Sequence, residues 1–160
     1  MEMIIRPELV SDAEAVCRVH HAAVAAIADQ YYALELRQAW ISSCTVASVQ
    51  AGILAAIGFV AEIDGVVVGF GALHKDEVRV LYVHPNYQGQ GIGKALLEKL
   101  ESMAIAQGIT KLHLKGSLNA AAFYEAMGYQ SLNECSTCVI DKHVLPCLKM
   151  EKLLAIPNPN

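Results

Sequence analysis

The chain has 160 residues and a mass of 17.2 kDa, the size of one domain. Hydrophobic residues make up 54% and charged residues 18%, which excludes a disordered chain, and a formal net charge of −4 sets aside general nucleic-acid binding. The longest apolar run, residues 51–61, contains two glycines and falls far short of the ~20 residues of a membrane span.

Residues 1–7 carry no basic segment followed by a long apolar one. No signal peptide and no membrane partner are therefore expected, and a cytoplasmic protein is. Five cysteines, an odd number, fit reduced thiols better than a disulfide framework.

Residues 3–6 are short, partly β-branched and followed by Pro7, which predicts an opening strand. Ser11 and Glu14 read as a capping box for a helix running to about residue 28. Residues 30–40 predict a second, shorter helix and residues 48–56 a third. The pattern then turns to strands at 59–63 and 66–73, joined by Asp64-Gly65, a two-residue hairpin signal. A third strand covers 77–83. A glycine-rich loop, 86–93, opens an amphipathic helix over 92–107, with Gly108 suited to its C-terminal cap. A strand at 111–115, a short helix at 120–127 stopped by Gly128, and two strands near 131–139 and 144–152 complete the chain. The domain is expected over residues 1–154 and a flexible tail over 155–160. These elements predict an α+β or α/β fold with a mixed central sheet.

The loop Gln88-Gly89-Gln90-Gly91-Ile92-Gly93-Lys94 follows a strand and begins a helix. Glycines let backbone approach a ligand, and unpaired amides at a helix start attract an anion. The P-loop pattern fails twice, at Gln88 and Ala95. The dinucleotide fingerprint fails at Lys94, where its third glycine belongs, and a nucleotide-dependent dehydrogenase is set aside with it. The pattern [QR]-x-x-G-x-[GA] fits fully, at Gln88, Gly91 and Gly93.

A second motif, Phe123-Tyr124-Glu125-x-x-Gly128-Tyr129, follows at the matching distance. Together the two resemble the GNAT superfamily of acyl-CoA N-acyltransferases, specifically from about residue 59 to 129. The stretch around Tyr31, Tyr32 and Trp40 is similar to that of small bacterial acetyltransferases of unassigned substrate. The resemblance implies an α+β fold with a mixed, mostly antiparallel central sheet flanked by helices on both sides. It implies acetyl-CoA as acyl donor, with the backbone from Gln88 through Gly89, Gln90, Gly91, Ile92 and Gly93 to Lys94 on the pyrophosphate. Leu81, Tyr82 and Val83 would bind pantetheine like an added strand, with the Val83 amide on the thioester oxygen. Tyr124 would protonate the departing thiolate, and Glu77, eleven positions before Gln88, would be the base. Many members carry Asn where this chain has Ser117, with Asn119 two residues late. Both stand as candidate cofactor contacts, and either is also suited to cap a helix.

The chemistry asks for these parts on its own account. An amine is mostly protonated at neutral pH and must lose a proton to a base before it attacks. An oxyanion calls for an amide donor, and an unperturbed phenol, with pKa about 10, stays protonated as an acid. His74 and His84 flank the same region as alternative bases. Tyr31, Tyr32, Trp40 and His74 are candidates for an acceptor pocket, the aromatics being equally suited to pack helix on sheet.

Cys135-x2-Cys138-x4-His143-x3-Cys147 nearly copies a zinc-knuckle spacing. On a regular strand, however, Cys135 and Cys138 point to opposite faces, so no metal is expected. The expected function is acetyl transfer from acetyl-CoA to a primary amine of a small molecule or peptide, by direct attack in a ternary complex. A homodimer is compatible with it. The alternative is a non-catalytic CoA-binding sensor domain.

Overall fold

The computed structural model describes residues 2–140 and 142–155, with the side chains of 133–139 left out. The expected tail beyond residue 155 and the side chains of Cys135 and Cys138 thus lie outside the described residues. Twelve regular elements run in the order β1 (Met3–Pro7), α1 (Ala13–Ala25), α2 (Leu34–Ser43), α3 (Val46–Ala55), β2 (Ile57–Ile63), β3 (Val66–His74), β4 (Glu77–Val83), α4 (Ile92–Ala106), β5 (Lys111–Ser117), α5 (Ala121–Ala126), β6 (Gln130–Ile140) and β7 (His143–Leu153). One sheet contains all seven strands in the order β1-β2-β3-β4-β5-β7-β6. Among the described residues only β4 and β5 pair in parallel, so the sheet is mixed and mostly antiparallel.

Strand alternation sends neighbouring residues to opposite faces. In β2, Phe59 and Ala61 enter one core and Val60 the other. On the first face α4 supplies Leu96, Leu97 and Leu100, all fully buried, against Val68, Leu73 and Leu114. On the second face α1 packs Val16 and Val19 on Val67 and Phe70. Beside it Val24, Ile27, Tyr32, Trp40 and Leu145 form a smaller cluster. Burial on both faces explains why the central strands read as nearly continuous apolar runs.

The Asp64-Gly65 turn has positive φ at both residues, 51° and 79°, as its sequence predicts. Gly108, at φ 79°, closes α4: its amide reaches the Ile105 carbonyl at 3.0 Å and the next amide, of Ile109, reaches Ala104 at 3.0 Å, a Schellman ending.

The N-terminal helices depart from expectation. Ser11 does not cap α1. The chain enters through a 3-10 turn, Val10–Asp12, in which the Asp12 carboxylate accepts the Leu9 amide at 2.7 Å and a two-pronged bond from Arg6 at 2.7 and 2.8 Å. The helix stops at Ala25, not residue 28, because buried Arg37 of α2 reaches back across the loop. Its guanidinium donates to the carbonyls of Ala25 at 2.8 Å and Tyr32 at 3.0 Å and to the Asp29 carboxylate. Tyr31 and Tyr32 accordingly precede α2 and are not part of it. α3 begins two residues before its expected start because Thr45 and Ser48 cap it reciprocally, at 3.1 and 2.9 Å.

Candidate active site

β4 and β5 pair at only two positions, Glu77 with His113 and Val78 with Leu114. Beyond Val78 the strands part. β4 keeps its pairing to β3, through a bulge at Arg79 where the register jumps between Val80 and Val78, while among the described residues no strand pairs with its other edge beyond Val78. The His84 amide turns to β3, donating to the Val68 carbonyl at 2.8 Å. Alternation along extended backbone then turns the Val83 amide and carbonyl to the open edge, where the Gln88 side chain meets that carbonyl at 3.4 Å.

The open wedge holds two cavities. One, about 520 Å3, is lined by Gln88, Gly89 and the stretch from Gly91 to Lys94 together with Val83, Asn119 and Phe123, by Ala23 of α1 and by Ile27 beyond its end. The other, about 390 Å3, is lined by Glu77, Arg79, Lys115, Trp40, Leu145 and Cys147. Leu81, Tyr82, Ser117, Ala120 and Tyr124 line both.

The loop owes its shape to two glycines in the left-handed region, Gly89 at φ 81° and Gly91 at φ 80°, which other residues adopt only with strain. Around both, the space a Cβ would occupy is open. Gly91 starts α4, and the first amide with a partner inside the helix is that of Ala95, bonded to the Gly91 carbonyl at 3.0 Å. The amides of Ile92, Gly93 and Lys94 therefore point out of the helix end, into a glycine-walled concavity that fits a phosphate group. Gly93 has a different reason for being glycine: a Cβ there would lie 3.3 Å from Cζ of Phe123, so α4 and α5 meet at this point.

Tyr124 is 7% exposed. Burial pushes its hydroxyl pKa above the ordinary phenol value, and among the described residues no hydrogen-bond partner meets that hydroxyl. α5 ends as α4 does, with Gly128 at φ 94° and the Tyr129 amide on the Tyr124 carbonyl at 2.9 Å. The Tyr129 hydroxyl donates to Glu101 at 2.8 Å, and Lys152 reaches the same carboxylate at 3.1 Å. The second motif thus anchors α5 to α4 and β7 through Tyr129.

Glu77 is half-buried at the root of the wedge. Arg79 stands 3.4 Å from one of its oxygens and His113 3.9 Å from the other. Tyr82 stacks edge-on against buried His20 at 4.8 Å and against Trp40 at 6.3 Å between centroids. Burial pushes the Tyr82 phenol up and the His20 imidazole down to about 4, so both are neutral at pH 7.

The wedge gathers Glu77, Leu81, Tyr82, Val83, Gln88, Gly89, Gly91, Ile92, Gly93, Lys94, Ser117, Asn119, Tyr124 and Trp40. It does not gather four other candidates. Gln90 is an exposed loop residue lining neither cavity, and Tyr31, 40% exposed, also lines neither. His74, at the end of β3, pairs with Glu77 across the turn but lines neither cavity. Tyr32 is buried, its hydroxyl bound to backbone. Neither Ser117 nor Ala120, the residues that precede the 3-10 turn Leu118–Ala120 and α5, makes a side-chain cap bond, so Ser117 is not serving as a cap. The sequence reading did not single out Arg79, Lys115 or the walls from α1 and β7. Arg79 carried one signal, its place two residues beyond Glu77 on a strand; the others come together only through tertiary packing.

An acetyltransferase (GNAT) domain model matches residues 55–131. An acetyltransferase of Pectobacterium atrosepticum is 35% identical over 85 residues, 49% of this chain and 60% of that protein. The chain spans little more than half the length of this relative and of a second curated acetyltransferase, from Sodalis glossinidius. Over nearly full length it is similar to a GCN5-related N-acetyltransferase of Rhodopseudomonas palustris, also described as a class-II aminotransferase: 32% identity, TM-score 0.90, covering 96% of this chain and 99% of that one. The fold also matches PaiA N-acetyltransferase of Thermoplasma acidophilum, solved in complex with coenzyme A, with TM-score 0.83, 22% identity and the same coverage. Fold, motifs and full-length similarity converge, and the chain belongs to the GCN5-related N-acetyltransferase (GNAT) family.

Proposed function

We propose that this protein works in the cytoplasm, moving an acetyl group from acetyl-CoA to a primary amine of a small molecule or peptide by direct attack within a ternary complex. One observation carries the reading: two cavities meet in the β4–β5 wedge, and Tyr124 lines both. A pure CoA sensor needs only the first cavity; a two-substrate enzyme needs both, with a proton donor where they join.

The outward amides of Ile92, Gly93 and Lys94 would hold the pyrophosphate. The open edge of β4 at Leu81 and Val83 would take the pantetheine arm by strand addition. The PaiA N-acetyltransferase, of the same fold, was solved in complex with coenzyme A, which supports CoA as the ligand. Bound acetyl-CoA supplies an activated acetyl thioester. The Val83 amide, turned to the open edge, would donate to the acyl oxygen. Glu77, on the second cavity, would draw in a cationic amine and take its proton directly or through water. His74 lines neither cavity, and Nδ1 of His84 already accepts the Asn86 amide at 3.2 Å, which favours Glu77 over both. Tyr124, kept protonated by burial, would give its proton to the leaving sulfur.

The test is CoA release from acetyl-CoA across a panel of primary amines, with CoA affinity measured by calorimetry. Intersecting initial-rate lines, and no release without amine, are expected. CoA binding with no turnover on any amine favours the sensor. Parallel lines, with release in the absence of amine, contradict direct attack.

A further inference from the structure

Cys17 and His21 stand four residues apart on α1, a spacing that brings side chains to one helix face. Cys44, the residue that follows α2, comes to the same spot across 27 positions of chain. The Sγ atoms of Cys17 and Cys44 are 3.8 Å apart, and Cys17 Sγ is 3.5 Å from Nε2 of His21. All three potential ligand atoms lie within 4.8 Å of one another. Cys17 is buried and the other two are half-buried. The Cys17 thiol donates to the Cys44 carbonyl at 3.2 Å, and Nε2 of His21 lies 2.8 Å from the same oxygen.

We propose that Cys17, His21 and Cys44 form a zinc site that clamps the α2–α3 connection onto α1. Zinc takes thiolate sulfur at about 2.3 Å and imidazole nitrogen at about 2.0 Å in tetrahedral array. At the tetrahedral angle those bonds set sulfur about 3.8 Å from sulfur and about 3.5 Å from nitrogen, the two separations found here. Two thiolates and an imidazole are a soft set that selects zinc over magnesium or calcium. Binding releases the two thiol protons to solvent. The imidazole proton moves to Nδ1, leaving the Nε2 lone pair for the metal, and water takes the fourth position.

The clamp has a mechanical task. In α2 only Arg37 and Trp40 are buried, and in α3 no residue is. Val46 and Leu54 of α3 stand 41% and 79% exposed. Hydrophobic burial alone holds this part of the molecule weakly, a situation in which small folds use metal staples. Trp40, four residues before Cys44, lines the acceptor-side cavity, so the clamp would fix that wall. The set differs from the C-terminal cysteines whose spacing drew attention in the sequence.

The test is zinc stoichiometry and anaerobic cobalt titration of the reduced full chain. One equivalent of metal retained against a weak chelator is expected, with thiolate-to-cobalt absorption and a melting temperature that rises with metal. Cys17→Ser and Cys44→Ser should each abolish the absorption, while Cys135→Ser and Cys138→Ser should keep it. Should the Cys17 variant not fold, His21→Gln at its half-buried position should weaken affinity at least about tenfold. No retained metal would overturn the proposal. So would absorption that survives in the Cys44 variant, or a Cys17–Cys44 disulfide mapped in protein prepared under the same reducing conditions.

Discussion

The hydroxyl of Tyr32 accepts the backbone amide of Leu118 at 2.9 Å across 86 residues of chain. The same hydroxyl donates to the Pro146 carbonyl at 2.6 Å. One phenol thus ties the loop after α1 to the turn that carries Asn119 and to β7, closing the wedge from behind. Tyr32→Phe keeps the ring on Trp40, 5.6 Å away between centroids, and removes both bonds. A stability loss of about 1–2 kcal/mol in urea unfolding is expected, with a several-fold rise in KM for acetyl-CoA as the turn loosens. Unchanged stability and KM would reduce Tyr32 to a packing residue.

Gly91 and Gly93 should fail for different reasons. Gly91→Ala puts a Cβ into open space but at a φ of 80°, so the loop must rearrange. Gly93→Val drives a side chain into Phe123 and should pry α5 from α4, moving Tyr124. Calorimetry should show at least about tenfold weaker CoA binding for Gly91→Ala. Gly93→Val should lower turnover more than affinity. CoA binding at wild-type strength in Gly91→Ala would remove the loop from the phosphate site.

Glu8 gives a pH signature. Its amide bonds the Gly58 carbonyl at 2.9 Å, and its carboxyl lies so close over Gly58 that a Cβ there would collide with it. Burial, helped by the Asp12 charge, raises the Glu8 pKa to about 7 from 4.5. The folded state therefore holds its proton more tightly than the unfolded state. That contribution is complete below pH 4.5 and is lost as pH rises through about 7. Relative to wild type, Glu8→Gln should gain melting temperature between pH 5 and 8 and gain nothing at pH 4. A constant difference across that range would contradict the assignment.

Much of the second half of the fold was legible because its signals are local. Asp64-Gly65, Gly108 and Gly128 each sit at the positive φ that their turn or helix end requires. The shape of the glycine loop was legible for the same reason, since Gly89 and Gly91 encode it in neighbouring residues. The N-terminal helices were misread at their ends because Arg37 decides where α1 stops, from twelve residues away. Ser11 and Glu14 lost to Asp12, whose bond to Arg6 no local pattern announces. The parting of β4 from β5 was implied by the family resemblance alone, through the strand-like pantetheine contact at Leu81 to Val83, because the loss of a strand partner leaves no local mark on Arg79 to Val83. Tyr32 shows the limit for aromatic residues: a tyrosine beside a pocket and one bound to buried backbone look alike until the partners at Leu118 and Pro146 are known.

The central claim is that Tyr124 serves as the acid at the junction of two substrate cavities, and Tyr124→Phe tests it most directly. The change keeps the ring in its place against Phe123 and Tyr129, 5.2 and 5.8 Å away between centroids, and removes only the proton donor. With an amine acceptor in hand, kcat should fall by about 100-fold or more while the Kd for acetyl-CoA stays within about threefold. Wild-type kcat in Tyr124→Phe would contradict the account and leave the hydroxyl without a part in the chemistry.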